Sequence, residues 1–557
     1  MIGNPFSPMK HALGFSTALA LMLLTALSGR ANPEPIYPGL GTYHRTITTS
    51  SPEAQRYFDQ GLAFLHGFNH GAAIRSFQQA AQLDPACATA HWGVALACGP
   101  HINAAAVPPP MAQMAWDALA LAQQNAASAT PLERALIEAL GQRYANPQPE
   151  DRKPLDRAYA DAMRQVWLSH SSDPDVGALF AEAMMNLRPW DLWTADGQPQ
   201  PGTEEIVATL EAVLKLAPEH PFANHLYVHA VEASPEPGRA DEAANRLRRL
   251  QPGLAHNVHM PSHIDIRRGR WAEAIASNLK AIEADGQYAA TFGAPKDMLV
   301  IYAAHNRHML VYAAMMTGQG ELALQQIRAM VASIPPEFMK AQAKFVEGFA
   351  AHPLEVMVRF GRWDDILAEP DNYAEYMPFC RAFHHAARAI AFAAKGDLTA
   401  ARAAQATYLE RVKLVPADEV FGNNKASAIV AVITPMVEGE LLVAEGKFDA
   451  GIESLRAASQ AEDLLKYEEP PGWLIPVRHA LGVTLLRARR FAEAEQVYRD
   501  DLAHSPNNGW SLLGLTQSLR KQNRSEAEIG AAEAQFRSVW AQADAPAASS
   551  CLCQPTP

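Results

Sequence analysis

Cysteine is scarce in this 557-residue chain, confined to Cys87, Cys98, Cys380, Cys551 and Cys553. An odd, widely spaced set lays out no disulfide framework, and Cys87 and Cys98 read as small helix-packing residues. Basic charge is short as well: 47 Lys and Arg against 59 Asp and Glu leave a net charge of −12. Phosphate backbones need a basic surface, so nucleic acid is excluded as the main ligand. Long apolar runs are missing outside the N-terminus, which leaves no membrane span beyond that segment. Gly-rich phosphate loops, a G-x-S-x-G elbow, HExxH and CxxCH are all absent. Nucleotide hydrolysis on a P-loop, serine-hydrolase chemistry, zincin-type proteolysis and covalent c-type haem lose their usual sequence basis.

What is present begins with an export signal. Lys10 and His11 precede an apolar run from Ala12 to Leu27, with small residues at Ser28, Gly29 and Ala31. Residues 1–31 therefore read as a signal peptide that sends the chain to a bacterial periplasm or beyond it, and 32–52 as a leader. Residues 541–557 are rich in Ala, Ser and Pro and are expected to be a disordered tail carrying Cys551 and Cys553.

Between these ends, 53–540 reads as helical throughout. From Ala54 to Cys87, Gly61 and Phe64 punctuate one helix, Ala73, Phe77 and Ala80 a second, and Pro85 ends it. Small residues let paired helices approach, larger ones fill the holes, and Pro stops the chain. The grid returns in units from Pro221, Ala255, Ala304, Glu347, Ala382, Val432, Ile475 and Gly509. Their expected turns include Gly269-Arg270-Trp271, Gly318, Gly361-Arg362-Trp363, Gly396-Asp397 and Gly446-Lys447-Phe448.

On these residues the chain resembles the tetratricopeptide repeat superfamily. It is also similar to a family of exported bacterial repeat proteins, through Gly67-Phe68-Asn69-His70, the stretch from Leu187 to Trp193, the stretch from His225 to Ser234, and His259-Met260-Pro261-Ser262-His263-Ile264. The resemblance implies an all-α, tetratricopeptide-type helical-hairpin solenoid, a superhelix with a concave groove. It also implies that positions 2, 5 and 9 of each first helix face that groove.

Eight of the 20 histidines fall between His220 and His308. Seven lie at steps of three and four residues: His225 and His229, then His256, His259 and His263, then His305 and His308. Such steps keep side chains on one helix face, and on the implied grid all seven occupy positions 2, 5 or 9, with Tyr312 at a ninth. Imidazole is the commonest borderline ligand for copper, zinc and iron, and three or four must converge on one ion. The pattern points to a transition-metal site of one or two ions. Glu232, on the face of His225 and His229, is a candidate ligand, general base or orienting partner. His101, in the rigid loop Gly99-Pro100-His101-Ile102-Asn103, and His479 are further groove candidates. Pro261 either kinks this helix or opens a new one after His256 and His259. The alternative is a groove that binds a peptide or partner protein without catalysis, its histidines serving as hydrogen-bonding contacts. A small substrate at the metal is the enzymatic version. Glu468-Glu469-Pro470-Pro471 reads as loop packing.

Overall fold

The computed structural model describes residues 33–554, so the signal-peptide expectation lies outside the described residues. What is described is mainly α-helix with almost no sheet, arranged as successive antiparallel hairpins. The first hairpin shows the local rules. Ser51 caps Pro52–His66 by accepting from Ala54 N, and Pro52 sits in the first turn, where its missing N–H costs nothing. Asn69 then caps His70–Leu83 through Ala72 N.

Expected turns fall where hairpins reverse. Gly269, Gly318, Gly361, Gly396 and Gly446 all have positive φ, between 63° and 82°, a region that glycine enters without steric cost. Where a hairpin lacks glycine there, Phe68, Arg489 and Asn523 take the same left-handed geometry at 54°, 61° and 55°.

Glycines inside first helices serve packing. A Cβ on Gly61 or Gly93 would lie 2.5 or 2.6 Å from the Phe77 ring. Gly482 and Gly514 flank Tyr498 the same way, at 2.4 and 2.1 Å. A large aromatic on a second helix is thus clasped between two glycine-notched first helices, once near each end of the chain.

Two compact units emerge. The first comprises the described residues up to Thr194 with Pro199–Ala230 and Arg249–Leu254; the second comprises Ala195–Gln198, Val231–Arg248 and everything from Ala255 onward. In the first, the leader is tied down: Arg45 pairs with Asp173 and Asp175, and Thr48 with Glu133.

In the second unit one first helix is made of two pieces, Ala255–His259 and Pro261–Arg267; Pro261 opens the second piece. The hairpins that follow are Met298–Met316 with Gly320–Ser333, Ala343–Arg359 with Trp363–Ala368, Pro378–Ala394 with Leu398–Val412, Ala426–Ala444 with Phe448–Asp463, Val477–Arg487 with Phe491–His504, and Gly509–Lys521 with Glu526–Val539. Several first helices start earlier than the sequence grid placed them, Met298 rather than Ala304 and Ala426 rather than Val432 most of all. The second unit folds back on itself: Trp271 Nε1 donates to Pro506 O at 3.0 Å and Trp510 Nε1 to Met315 O at 2.6 Å.

Two features depart from expectation. A small antiparallel ribbon pairs Val420–Phe421 with Asn424–Lys425. The tail expected to be disordered is packed through Gln554, with Ser549, Ser550, Cys551 and Cys553 buried. Composition pointed to disorder because Ala, Ser and Pro make little core of their own; here hydrogen bonds between the segment's side chains and carbonyls and the other helices hold it. Among the described residues one helix, Ala426–Ala444, is long and apolar enough to cross a membrane, and it packs as the first helix of a hairpin, Gly439 against Leu455.

Candidate metal centre

His259 and His263 lie four residues apart across the break at Pro261, and both are buried. Their Nε2 atoms face each other at 2.9 Å. His305, from Met298–Met316, brings a third imidazole, its ring centroid 4.7 Å from that of His259 and 5.5 Å from that of His263. One ring nitrogen from each of the three lies within 4.8 Å of the others.

The far sides of two rings are anchored. Asn278 Nδ2 donates to Ala274 O at 2.9 Å, which turns its Oδ1 toward His259 Nδ1 at 2.7 Å. That oxygen can only accept, so His259 carries its hydrogen on Nδ1 and its lone pair on Nε2. His263 Nδ1 stands 2.6 Å from Glu232 Oε2 and 3.4 Å from Glu469 Oε2. A carboxylate there likewise fixes the hydrogen on Nδ1 and makes Nε2 more basic. Two Nε2 lone pairs thus meet at hydrogen-bond distance, and a positive charge, either a proton or a metal cation, is needed between them. Burial alone pushes the His263 imidazolium down, but the carboxylates of Glu232 and Glu469 outweigh it and raise the group to about 10. Burial in turn raises Glu469.

The residues that carry these carboxylates are held from outside, Glu232 through its main chain and Glu469 through its side chain. Arg267 Nη1 donates to Glu232 O at 2.7 Å and Nη2 to Ser234 O at 3.2 Å. Tyr467 OH donates to Glu469 Oε1 at 2.6 Å. The loop carrying Tyr467 and Glu469 is pinned by the β-ribbon: Asn423 N donates to Glu468 Oε2, and Asn424 exchanges bonds with Lys466 O and N at 3.0 and 2.8 Å. The Glu468–Pro471 stretch, read in sequence as loop packing, therefore supplies a side chain to the histidine cluster.

The other sequence candidates lie elsewhere. In the second unit, His256 stacks on Tyr302 at 4.5 Å, its ring 5.9 Å from that of His259. His308 stacks on His352 at 4.5 Å, and His352 Nδ1 meets Glu355 Oε1 at 2.9 Å. Tyr312 packs edge-on against Trp271. His479 is held between Asp501 Oδ2 at 3.0 Å and Arg359 Nη1 at 3.1 Å, a buried structural ion network. In the first unit, His225 Nδ1 donates to His66 O at 2.6 Å and its ring lies 5.0 Å from that of His229. His101 packs on Phe68 and His70 at 4.6 and 4.3 Å.

Sequence reasoning missed Asn278, Glu469, Tyr467 and Arg267. Asn278 had a weak signal, a polar residue on the apolar side of Trp271–Phe292. Glu469 had none, because it sits 206 residues after His263.

No family model and no curated protein matches the chain. Its likenesses are to solved repeat structures. Human IFIT1, crystallised as a dimer with PPP-AAAA, is 12% identical over 88% of this chain and 91% of its own, with a TM-score of 0.32. Cut9 from the APC/C Cut9–Hcn1 hetero-tetramer is 14% identical over 84% and 76%, with a TM-score of 0.30. Yeast Tom70 is 10% identical over 86% and 92%, with a TM-score of 0.26. Such scores say nothing of function. The hairpins, their glycine turns and the glycine-clasped aromatics define an all-α helical-hairpin repeat protein, and the chain resembles the tetratricopeptide superfamily.

Proposed function

We propose that this chain is an exported repeat metalloprotein in which His259, His263 and His305 hold one transition-metal ion. The observation that carries the reading is the pair of anchored rings: Asn278 and the Glu232 carboxylate turn two Nε2 lone pairs onto one point 2.9 Å across. Three imidazoles with a carboxylate behind one of them suit zinc, copper or iron. A three-ligand set leaves room for water or a small substrate, the arrangement of metal-dependent enzymes. In that chemistry Glu232, turned to the Nδ1 side of His263, orients and activates a ligand. Bound to metal, it would strengthen the His263 donor, and Asn278 would hold His259 in the competent tautomer.

The test is elemental analysis of protein purified without a chelating tag, beside a His263→Ala/His305→Ala variant. The reading requires near-stoichiometric metal that the variant loses while keeping its helical circular dichroism. A wild-type chain that carries no metal and takes up neither zinc, copper nor iron sinks it, and the charge between the rings is then a proton.

A second reading, a scaffold for a peptide or partner protein, is favoured by one observation. Helices of the second unit already hold an irregular segment of the chain itself, from Asp544 to Gln554.

A further inference from the structure

That segment crosses hairpins far apart in sequence. Asp544 accepts from Gly320 N and Glu321 N at 2.7 and 3.0 Å, capping Gly320–Ser333. Gln517 Nε2 donates to Ala548 O at 3.1 Å, and Arg359 Nη2 to Ser550 O at 2.7 Å. Ser550 Oγ donates to His479 O at 2.9 Å and meets Tyr498 OH at 2.7 Å. Gln554 Nε2 reaches Thr484 Oγ1 at 2.7 Å and the two oxygens of Glu440 at 3.3 and 3.2 Å. Two of these bonds end on the segment's backbone carbonyls and the rest use the side chains of Asp544, Ser550 and Gln554, so the grip depends on both its path and its sequence.

Within this path lies the one disulfide among the described residues, Cys551–Cys553, while Cys87, Cys98 and Cys380 are buried free thiols. A bridge across a single residue constrains the unfolded chain less than any longer loop, so it is badly placed to stabilise the fold. What it does fix is the turn between Ser550, held by Arg359, and Gln554, held by Glu440. The Cys553 sulfur lies 3.1 Å from Glu440 Oε1, and Glu440 is itself buried.

We propose that Cys551, Cys553 and Glu440 form a thiol–disulfide exchange site, and that its reduction by a dithiol unlatches the C-terminal segment from the first helices of the second unit. A thiolate of the dithiol attacks Cys551 Sγ. The Cys551–Cys553 bond breaks, a mixed disulfide forms on Cys551, and the electron pair leaves on Cys553 Sγ. Cys553 takes the proton held by the Glu440 carboxyl, which regains one from water. The second thiolate of the dithiol then attacks its own sulfur in the mixed disulfide, closing an oxidised cyclic product and releasing Cys551, protonated from solvent. Two electrons pass from the dithiol to the cysteine pair. Glu440 is suited to the proton step because burial raises it to about 7, so it holds a proton for part of the time at neutral pH. Access comes from local opening of this segment, which has no helix or strand of its own and needs far less than global unfolding to open. The inference is independent of the metal site.

The experiment uses the full chain in chelator-containing buffer, oxidised or treated with dithiothreitol. Cysteine alkylation read by mass spectrometry follows the redox state, and hydrogen exchange follows 544–554. Reduction should raise exchange in that segment at least tenfold while Val477–Arg487 stays protected. Cys551→Ser/Cys553→Ser should exchange like the reduced chain with or without dithiothreitol, its helical circular dichroism unchanged. Glu440→Gln, which has no proton to give, should slow reduction at pH 7 at least tenfold. Equal protection of 544–554 in both redox states overturns the latch, and an unchanged reduction rate overturns the role of Glu440. If the reduced chain without chelator stays protected by binding one equivalent of zinc, Cys551, Cys553 and Glu440 are a metal site and the exchange proposal falls.

Discussion

Glu232→Gln separates an orienting carboxylate from a catalytic one. The wild-type contact, 2.6 Å between Glu232 Oε2 and His263 Nδ1, joins two buried groups, the setting in which a charge-assisted bond is strongest. Gln is the same size and accepts through its amide oxygen, so the tautomer of His263 survives while the negative charge behind it goes. Bonds to charged groups contribute about 1.5–3 kcal/mol, and losing a carboxylate behind a metal-bound imidazole weakens binding about 10–100-fold. The structure selects the lower end. Glu469 Oε2 stands 3.4 Å from the same nitrogen and can take over part of the charge. The single variant should therefore lose about tenfold in zinc or copper affinity, roughly 1.4 kcal/mol. Adding Glu469→Gln should bring the loss to about 100-fold, more than the two single losses combined, because each carboxylate backs up the other. Competition against a chromophoric chelator at pH 7.5 measures the wild type, both single variants and the double variant, with circular dichroism as the folding control. Unchanged affinity in the double variant, with His305→Ala abolishing binding, would refute the assignment of these carboxylates as orienting groups. Loss of turnover in Glu232→Gln at full affinity would instead make Glu232 a base.

The first unit should be sensitive to acid. Burial pushes His66 to about 3 and His70 to about 4, below the ordinary 6.5, so the unfolded chain binds protons there that the folded chain refuses. Their stabilisation is present above pH 6.5 and shrinks as pH falls, by about 2 kcal/mol each at pH 5; denaturant unfolding that is equally stable at pH 7.5 and 5 would contradict this. Gly396→Ala isolates backbone strain, since φ is +82° and nothing lies within 4 Å of the new Cβ; it should cost about 1–2 kcal/mol in chemical denaturation. Gly482→Val must push into Tyr498, whose ring is 2.4 Å from where even a Cβ would sit, and should cost about 3 kcal/mol or more, whereas a change within error would mean the helices part freely.

Hairpin architecture was legible because its causes are local. A helix needs its caps, its apolar period and a residue that can turn left-handed at Gly269, Gly318 or Gly446, and all of these sit within a few residues of one another. The same locality made His259 and His263 readable as a pair, and the step of four stays on one face because Met260, just before Pro261, keeps right-handed helical angles, φ −48° and ψ −39°. The sequence by itself determined the all-α hairpins, their turns and that histidine pair. Tertiary structure decided the rest: that His305 joins His259 and His263, that His225 and His229 fall in the first unit while His259, His263 and His305 fall in the second, and that Glu469 arrives behind His263 on a loop pinned by a β-ribbon. It also decided that the tail is held rather than loose. The physical reason is that such meetings depend on how successive hairpins add up until Trp271 reaches Pro506 and Trp510 reaches Met315. That accumulated geometry is set by every packing contact along the array and written in no single stretch of it.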